Sequence, residues 1–298
     1  MADICLVGTG GMIPLPERWL ASCHIAHNGF NLLIDAGEGE QVALQEAGIK
    51  AGRIDVLLIT HFHADHVMGV PGLIMSMGNK GKKSKLTIIG PKDTGAVISA
   101  LCAVTPRPPF DIELIEMSGG DTVTFGELDI SAIKLDHRMD CLGYSFSFRR
   151  KPVFDPEKAK KLSVPVAMYK ELHNGNDVVL SDGSRTTTEM VTDGRREPIK
   201  ITYMTDTLYF PEMADFASGS DILICEGMYP DDDMKEDMHE KHHMVWSESV
   251  EILKSSSSKK LVLTHFSPAV KEPEAFREKL LLMSSSADIG HDGMRLSI

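Results

Sequence analysis

The segment Thr60-His61-Phe62-His63-Ala64-Asp65-His66 limits what this chain can fold into more than any other stretch of it. Three imidazoles and one carboxylate fall within six residues, where the apolar run 55–60 gives way to a loop. Burying that much polar functionality without partners would cost several kcal/mol. A metal removes the cost, because neutral imidazole and ionised carboxylate are ligands that zinc accepts. The spacing also divides the donors. His61 and His63 alternate and point one way, while Asp65 and His66 sit one turn further on. One short segment can therefore serve two adjacent ions.

Around that segment, short apolar runs alternate with amphipathic stretches. Residues 4–7, 31–34, 55–60 and 86–89 are short, β-branched and bounded by glycine or polar turns, the pattern of buried strands. Residues 41–47, 70–77 and 93–100 read as helices. A second strand cluster covers 112–116, 122–125, 128–134 and 144–149. Further strands at 200–205, 221–226 and 260–264 interleave with helices at 210–216, 246–254 and 273–283. Two strand-rich halves with helices outside predict an α/β fold, a four-layer αββα sandwich of two sheets. Between 150 and 198 the pattern stops, and prolines, charges and the turn signals Asn174-Gly175, Asp182-Gly183 and Asp193-Gly194 replace it. The expected organisation is one domain over 1–298 with an inserted, protruding, flexible arm at about 150–198 that holds little core of its own. A loop of such length in a compact domain is usually functional or disordered.

The net charge of −12, with histidine neutral, speaks against a general nucleic-acid coat. Nucleic acid would need local basic patches, and two exist. Residues 80–85 carry four lysines and no acid, and residues 149–161 carry six bases against two acids. Taken alone, each reads as solvated surface. The five cysteines are scattered and include no Cys-x-x-Cys pair, so they predict reduced thiols rather than a disulfide framework. No basic segment precedes an apolar one at the N-terminus, and no apolar run approaches the roughly 20 residues of a membrane span. These features predict a cytoplasmic enzyme without a membrane partner. His239-Glu240-Lys241-His242-His243 formally matches the zincin pattern His-Glu-x-x-His. It is embedded in an acidic run without an apolar face, and no third-ligand motif follows, so His239 and His242 are expected at the surface.

His-x-His-x-Asp-His after a strand resembles the signature of the metallo-β-lactamase superfamily, and the rest of its pattern follows in order. Asp35 in Leu-Leu-Ile-Asp-Ala-Gly-Glu-Gly resembles the first motif, a carboxylate that orients a ligand. His137 in Leu-Asp-His-Arg resembles the third, Asp206 in Tyr-Met-Thr-Asp-Thr the bridging carboxylate of the fourth, and His265 in Leu-Val-Leu-Thr-His-Phe-Ser the fifth. The resemblance implies two Zn²⁺ per chain, with Mn²⁺ or Fe as substitutes. One would take His61, His63, His137 and Asp206, and the other Asp65, His66, Asp206 and His265. Such ions sit about 3.5–4 Å apart and share a hydroxide. Asp65, both ligand and nearest free carboxylate oxygen, is assigned as general base.

Within the superfamily the chain resembles the ribonuclease Z family, endonucleases that trim the 3′ trailer from precursor tRNA. Asp35-Ala36-Gly37-Glu38-Gly39 with Gln41 is similar to that family's Asp-Cys-Gly-Glu-Gly-Thr-Gln, and Gly69-Val70-Pro71-Gly72-Leu73 to its Gly-Leu-Pro-Gly-Leu. Phe154-Asp155-Pro156-Glu157-Lys158-Ala159-Lys160 resembles the start of its tRNA-clamping arm. Glu226 stands where the family has a Glu in a His-Glu-Ala-Thr box, and His243 where it has His-Ser-Thr. The departures are Ala64 for Gly, Cys225 for the first His of the box, Met244-Val245 after His243, Arg18-Trp19 for Arg-Asn, and no Gly-Pro in 163–167. The resemblance implies a zinc-dependent endoribonuclease in which metal-bound hydroxide attacks a phosphodiester of precursor tRNA. Glu226 would orient His243 to protonate the leaving 3′ oxygen. It also implies a homodimer, and it makes Arg149, Arg150, Lys151, Lys158, Lys160 and Lys161 phosphate contacts at the base of the arm. Two other readings stand beside it: a divergent phosphodiesterase of the same fold acting on a small or non-tRNA substrate, and a non-catalytic RNA-binding relative.

Overall fold

Strands β1 (Ala2–Gly8), β2 (Ser22–His27) and β3 (Phe30–Ile34) form an antiparallel meander at the N-terminus of a computed structural model, which describes residues 1–193 and 196–298. Strands β4 (Val56–Leu58), β5 (Leu86–Gly90) and β6 (Ile112–Glu116) continue the sheet in parallel. Every residue of β4 and β5 is buried, as parallel strands covered on both faces require. Helices α1 (Glu40–Glu46), α2 (Ala64–Val67), α3 (Val70–Asn79) and α4 (Thr94–Leu101) fill the connections. In α3, Val70, Leu73, Ile74 and Met77 recur at i, i+3, i+4 and i+7, so one stripe of the helix is apolar. That stripe packs with Ala43 and Leu44 against Leu33, Leu57 and Ile88 of the sheet. Strand β2 carries a serine and two histidines, so its composition hides a strand. It is nevertheless the middle of the meander, with its first four positions buried.

The chain divides into two units, one of Met1–Val123, Ile130–Phe146 and Lys200–Ile298, the other of Thr124–Asp129 and Ser147–Ile199. Strands β7 (Thr122–Phe125), β8 (Leu128–Leu135) and β9 (Cys141–Arg150) lead into the second unit. There Asp155 caps α5 (Pro156–Lys161) by accepting from the Glu157 and Lys158 amides, with Pro156 at the first turn and lysines at the last. Helix α6 (Tyr169–His173) and the hairpin β10 (Val178–Val179) to β11 (Arg185–Thr186) follow. Two of the three turn signals hold positive-φ glycines, Gly175 and Gly183, and Gly194 of the third lies outside the described residues. The expectation of little core needs correcting. Ala159, Val164, Leu172, Val178 and Val191 are buried together, with Phe154, Met168, Tyr169 and Leu180 around them. These apolar residues are spaced too irregularly for a periodicity reading to find them.

Strands β12 (Arg196–Met204), β13 (Ile222–Glu226), β14 (Leu261–Thr264) and β15 (Ala287–Ile289) complete a second seven-stranded sheet, ordered β15-β14-β13-β12-β9-β8-β7. The C-terminal strand β16 (Met294–Ser297) pairs with β1 and makes the first sheet seven-stranded too. Helices α7 (Glu212–Ala217), α8 (Lys235–Glu240), α9 (Trp246–Ser256) and α10 (Arg277–Met283) connect the strands. Met213, Val250, Leu253 and Leu280 from three of them pack against Leu223, Cys225, Leu261 and Leu263. Between the sheets, the Tyr144 hydroxyl of β9 donates to the Ile59 carbonyl at 2.7 Å, and the Leu142 amide to the Thr60 carbonyl at 2.9 Å. The arrangement is the expected αββα sandwich. Among the described residues no helix is long and apolar enough to cross a membrane.

Candidate metal centre

Each chemically important segment begins at a strand end. Asp35 follows β3, His61–His66 follows β4, Asp206 follows β12, His265 follows β14, and Glu226 closes β13. Asp35, Asp206 and His265 have φ of 61°, 61° and 57°. A non-glycine residue in the left-handed region costs about 1–2 kcal/mol, and it persists where the surroundings dictate it. The loops after β3 and β4 are zipped together. The Ala36 amide donates to the His66 carbonyl and the Gly69 amide to the Ala36 carbonyl, both at 2.9 Å. The approach is so close that a Cβ on Gly69 would lie 1.9 Å from the Gly37 oxygen.

The donor side chains converge. His61 Nε2 lies 2.9 Å from His63 Nδ1, which lies 3.2 Å from His137 Nε2. On the other side, Asp65 Oδ2 lies 3.4 Å from His66 Nε2 and 3.6 Å from His265 Nε2. Asp206 stands between the two sets, with Oδ1 3.3 Å from His265 Nε2 and 4.0 Å from His61 Nε2, and Oδ2 3.5 Å from His66 Nε2. His66 Nε2, Asp206 Oδ2 and both ring nitrogens of His265 are buried without a hydrogen-bond partner. Orphaned buried polar atoms demand an explanation. Ligand bonds of about 2.0–2.1 Å in a tetrahedron place neighbouring donors roughly 3.3–3.4 Å apart, too far for good hydrogen bonds and right for a shared ion. These residues fit metal binding.

Their outer nitrogens are held. Asp35, fully buried, accepts from the Thr60 amide and hydroxyl at 2.8 Å each and from His66 Nδ1 at 2.8 Å. His137 Nδ1 donates to the His242 carbonyl at 3.2 Å. Such contacts fix ring orientation and tautomer. Burial pushes the His61 imidazole well below its ordinary value and His137 down to about 4, so both are neutral and able to coordinate. Burial opposes charge on His66 too, but Asp206, Asp35 and Asp65 around it raise its pKa well above the ordinary value. Burial alone would raise the Asp65 carboxyl, yet His265 and His66 hold it well below the usual carboxylate range.

Beside the donors, His243 Nδ1 bonds Glu226 Oε2 at 2.7 Å, and Glu226 Oε1 accepts from the Thr207 amide at 2.9 Å. Burial disfavours the imidazolium, but Glu226 first, then Asp206 and Asp65, push the His243 pKa up to about 9. His243 is therefore protonated at neutral pH, with Nε2 free of this bond. The zincin geometry is absent. Helix α8 ends at Glu240, His242 is left-handed, and His239 bonds Glu248 at 2.7 Å. Both His239 and His242 are half-buried rather than freely exposed.

His63, Asp65, His137, Asp206, His243 and His265 all line one cleft of about 480 Å³. It also contains residues that the sequence alone did not single out. Met12, at φ 69°, donates its amide to Asp65 Oδ2 at 2.7 Å. The adjoining glycines were the available signal, since a Cβ on Gly11 would meet the His265 ring at 2.8 Å. Arg138, Tyr229 and Lys241 also line it, with nothing local to mark them. In the second unit, Arg149 donates to the Gly126 carbonyl, Lys151 lies 4.0 Å from Glu127, and Lys158 bonds Asp193 at 2.9 Å. Arg150, Lys160 and Lys161 are exposed there.

Ribonuclease Z of Lachnospira eligens is 38% identical to this chain over 299 residues, covering 100% of the chain and 98% of that protein. The chain belongs to the ribonuclease Z family. Ribonuclease Z of Clostridium acetobutylicum is 41% identical, covering 98% of this chain and 96% of its own length. The sequence profile described as "Anti-Pycsar protein Apyc1" matches residues 2–105, and that of the "Beta-lactamase superfamily domain" matches residues 190–266. Among solved structures, human tRNase Z, short form, superposes with a TM-score of 0.71 at 22% identity, covering 99% of each chain. The metallo-β-lactamase fold protein YhfI of Bacillus subtilis superposes with a TM-score of 0.70 at 18% identity, covering 99% of this chain and 98% of that one, so the fold is the metallo-β-lactamase fold. Membership of the ribonuclease Z family, together with the donor cluster, makes the chain a metal-dependent hydrolase.

Proposed function

We propose that the chain removes the 3′ trailer of precursor tRNA as a two-zinc endoribonuclease. The observation that carries the reading is the joining, in one cleft, of the His/Asp donor cluster with the buried Glu226–His243 pair. His61, His63 and His137 would hold one ion and Asp65, His66 and His265 the other, with Asp206 shared and Asp35 orienting His66. When bound, the ions supply an activated water and offset charge on the phosphoryl oxygens. Asp65, a carboxylate at neutral pH, accepts the proton of the attacking water. As the bond from phosphorus to the 3′ oxygen breaks, His243 gives that oxygen its proton, and Glu226 keeps His243 charged and oriented. The second unit is the tRNA arm of this proposal, with Arg150, Lys160 and Lys161 as its freest phosphate contacts. A homodimer in the cytoplasm completes it.

Zinc- or manganese-loaded protein should cut a defined precursor tRNA after the discriminator base. Asp65→Ala should abolish the cut and largely spare tRNA binding. A wild-type protein that leaves the precursor intact while hydrolysing a small phosphodiester would remove the trailer reading in favour of the phosphodiesterase one.

A further inference from the structure

Two segments far apart in sequence are stitched together at the rim of the cleft. The turn between β8 and β9 meets the end of α8 through three bonds. His137 Nδ1 donates to the His242 carbonyl at 3.2 Å, Arg138 Nη2 to the Glu240 carbonyl at 2.6 Å, and His242 Nδ1 bonds Asp136 Oδ1 at 3.1 Å. The stitching brings Arg138 and Lys241 to one rim, beside His137 and His243. They are the only permanent cations among the described residues that line the cleft. Both are exposed. The acids of the turn are engaged elsewhere, Asp136 with His242 and Asp140 with Lys134 at 3.5 Å, and no described carboxylate forms an ion pair with either cation. The metal donors already account for the phosphate being cut, so these two charges are surplus to it.

We infer that Arg138 and Lys241 form a second-phosphate subsite that holds the phosphodiester adjacent to the scissile one, so that the cleft selects a polynucleotide over an isolated phosphodiester. A planar guanidinium offers a bidentate fork to a phosphate, and an ammonium adds a point charge. The anchored Nη2 of Arg138 leaves its other N–H groups for the ligand. The chain's net charge of −12 repels a polyanion, so local cations at the mouth have to offset it. This inference rests on the phosphodiester-cleaving reading of the same cleft, and it is independent of whether the RNA is a tRNA precursor.

The test is competitive inhibition of bis(p-nitrophenyl) phosphate hydrolysis by the metal-loaded protein. The probes are the trinucleotide UpUpU and its analogue with one bridging phosphate replaced by a neutral methylphosphonate. Wild-type protein should bind UpUpU roughly tenfold or more tightly than the analogue, the size of a charge-assisted contact. In the Arg138→Ala/Lys241→Ala double variant the ratio of inhibition constants should fall towards one, and Arg138→Lys/Lys241→Arg should restore part of it. A wild-type ratio of one, a double variant that keeps the full ratio, or equal weakening of both probes without a change in their ratio would each overturn the subsite. Precursor cleavage on the same sample separates the two claims. A collapsing ratio with an uncut precursor leaves the subsite standing and removes the trailer reading.

Discussion

At the scale of single residues, the Glu226–His243 pair makes a pH prediction. His243 acts as an acid only while protonated, so turnover should fall as pH rises through its raised pKa of about 9. Glu226→Gln removes the first of the charges that raise it, so the alkaline limb of the kcat/KM profile should move towards neutral pH. A profile on a dinucleoside phosphate such as UpU, whose leaving 3′ oxygen needs the proton, checks this, and an unmoved limb would detach Glu226 from His243. Glu40 makes a second prediction, on stability. It stands where the family motif has Thr, is 2% exposed, and has the Ser22 hydroxyl as its polar partner at 3.0 Å. Burial, with Asp35 and Asp292 nearby, pushes its pKa up to about 8. The folded state therefore binds this proton more tightly than the unfolded chain, whose glutamate has an ordinary value near 4.5. The resulting stabilisation is full below about pH 4.5 and is lost as pH rises through 8. Glu40→Gln should accordingly raise Tm over the parent at pH 9 by the equivalent of a few kcal/mol, and much less at pH 5. Equal Tm differences at both pH values would place the Glu40 charge elsewhere.

At the scale of elements, the backbone zipper between the loops after β3 and β4 is the vulnerable joint. Gly69→Ala sets a Cβ against the Gly37 carbonyl, backbone against backbone, where no side chain can yield. We expect a loss of several kcal/mol in stability together with lowered metal content, measured by thermal melting and metal analysis. A variant that melts like the parent and loads fully would show that the loops can separate without harm. This joint also explains what could be read in advance. The His61–His66 cluster was legible because its chemistry is local, three rings and a carboxylate within one turn of chain. Strand β4 and helix α3 were legible because burial imposes a run on one and a 3.6-residue stripe on the other. Strand β2 was not, because its place between β1 and β3 overrides a polar composition. The left-handed backbone at Asp35, Asp206 and His265 falls on residue types that tolerate it, but Asp and His are too common elsewhere in the chain for that to single them out. Arg138 and Lys241 reach the same cleft only through bonds between segments about 100 residues apart, such as the one from His137 to His242.

At the scale of the whole molecule, the division into two units separates two demands on the chain. The unit that holds the metal donors has the chemistry, and the other has a core of its own and a closed base. Phe154 pairs with Thr192, and the Asp155 amide donates to the Val191 carbonyl at 2.7 Å, so the chain enters and leaves that core side by side. Residues 156–190 can therefore be replaced by a short Gly-Ser linker without stretching the flanking strands. Three of the bases expected to meet phosphate, Lys158, Lys160 and Lys161, leave with the excised segment. The exposed Lys158–Asp193 ion pair is worth little to stability, so that charge too is available to a ligand. Each lost phosphate contact should also lower the slope of log affinity against log salt by about 0.7–0.9. The excised protein should show precursor tRNA cleavage reduced at least about tenfold relative to small-phosphodiester hydrolysis, mostly through KM, with a shallower salt dependence. A parallel fall in both reactions would mean that the second unit supports the catalytic unit instead of holding RNA.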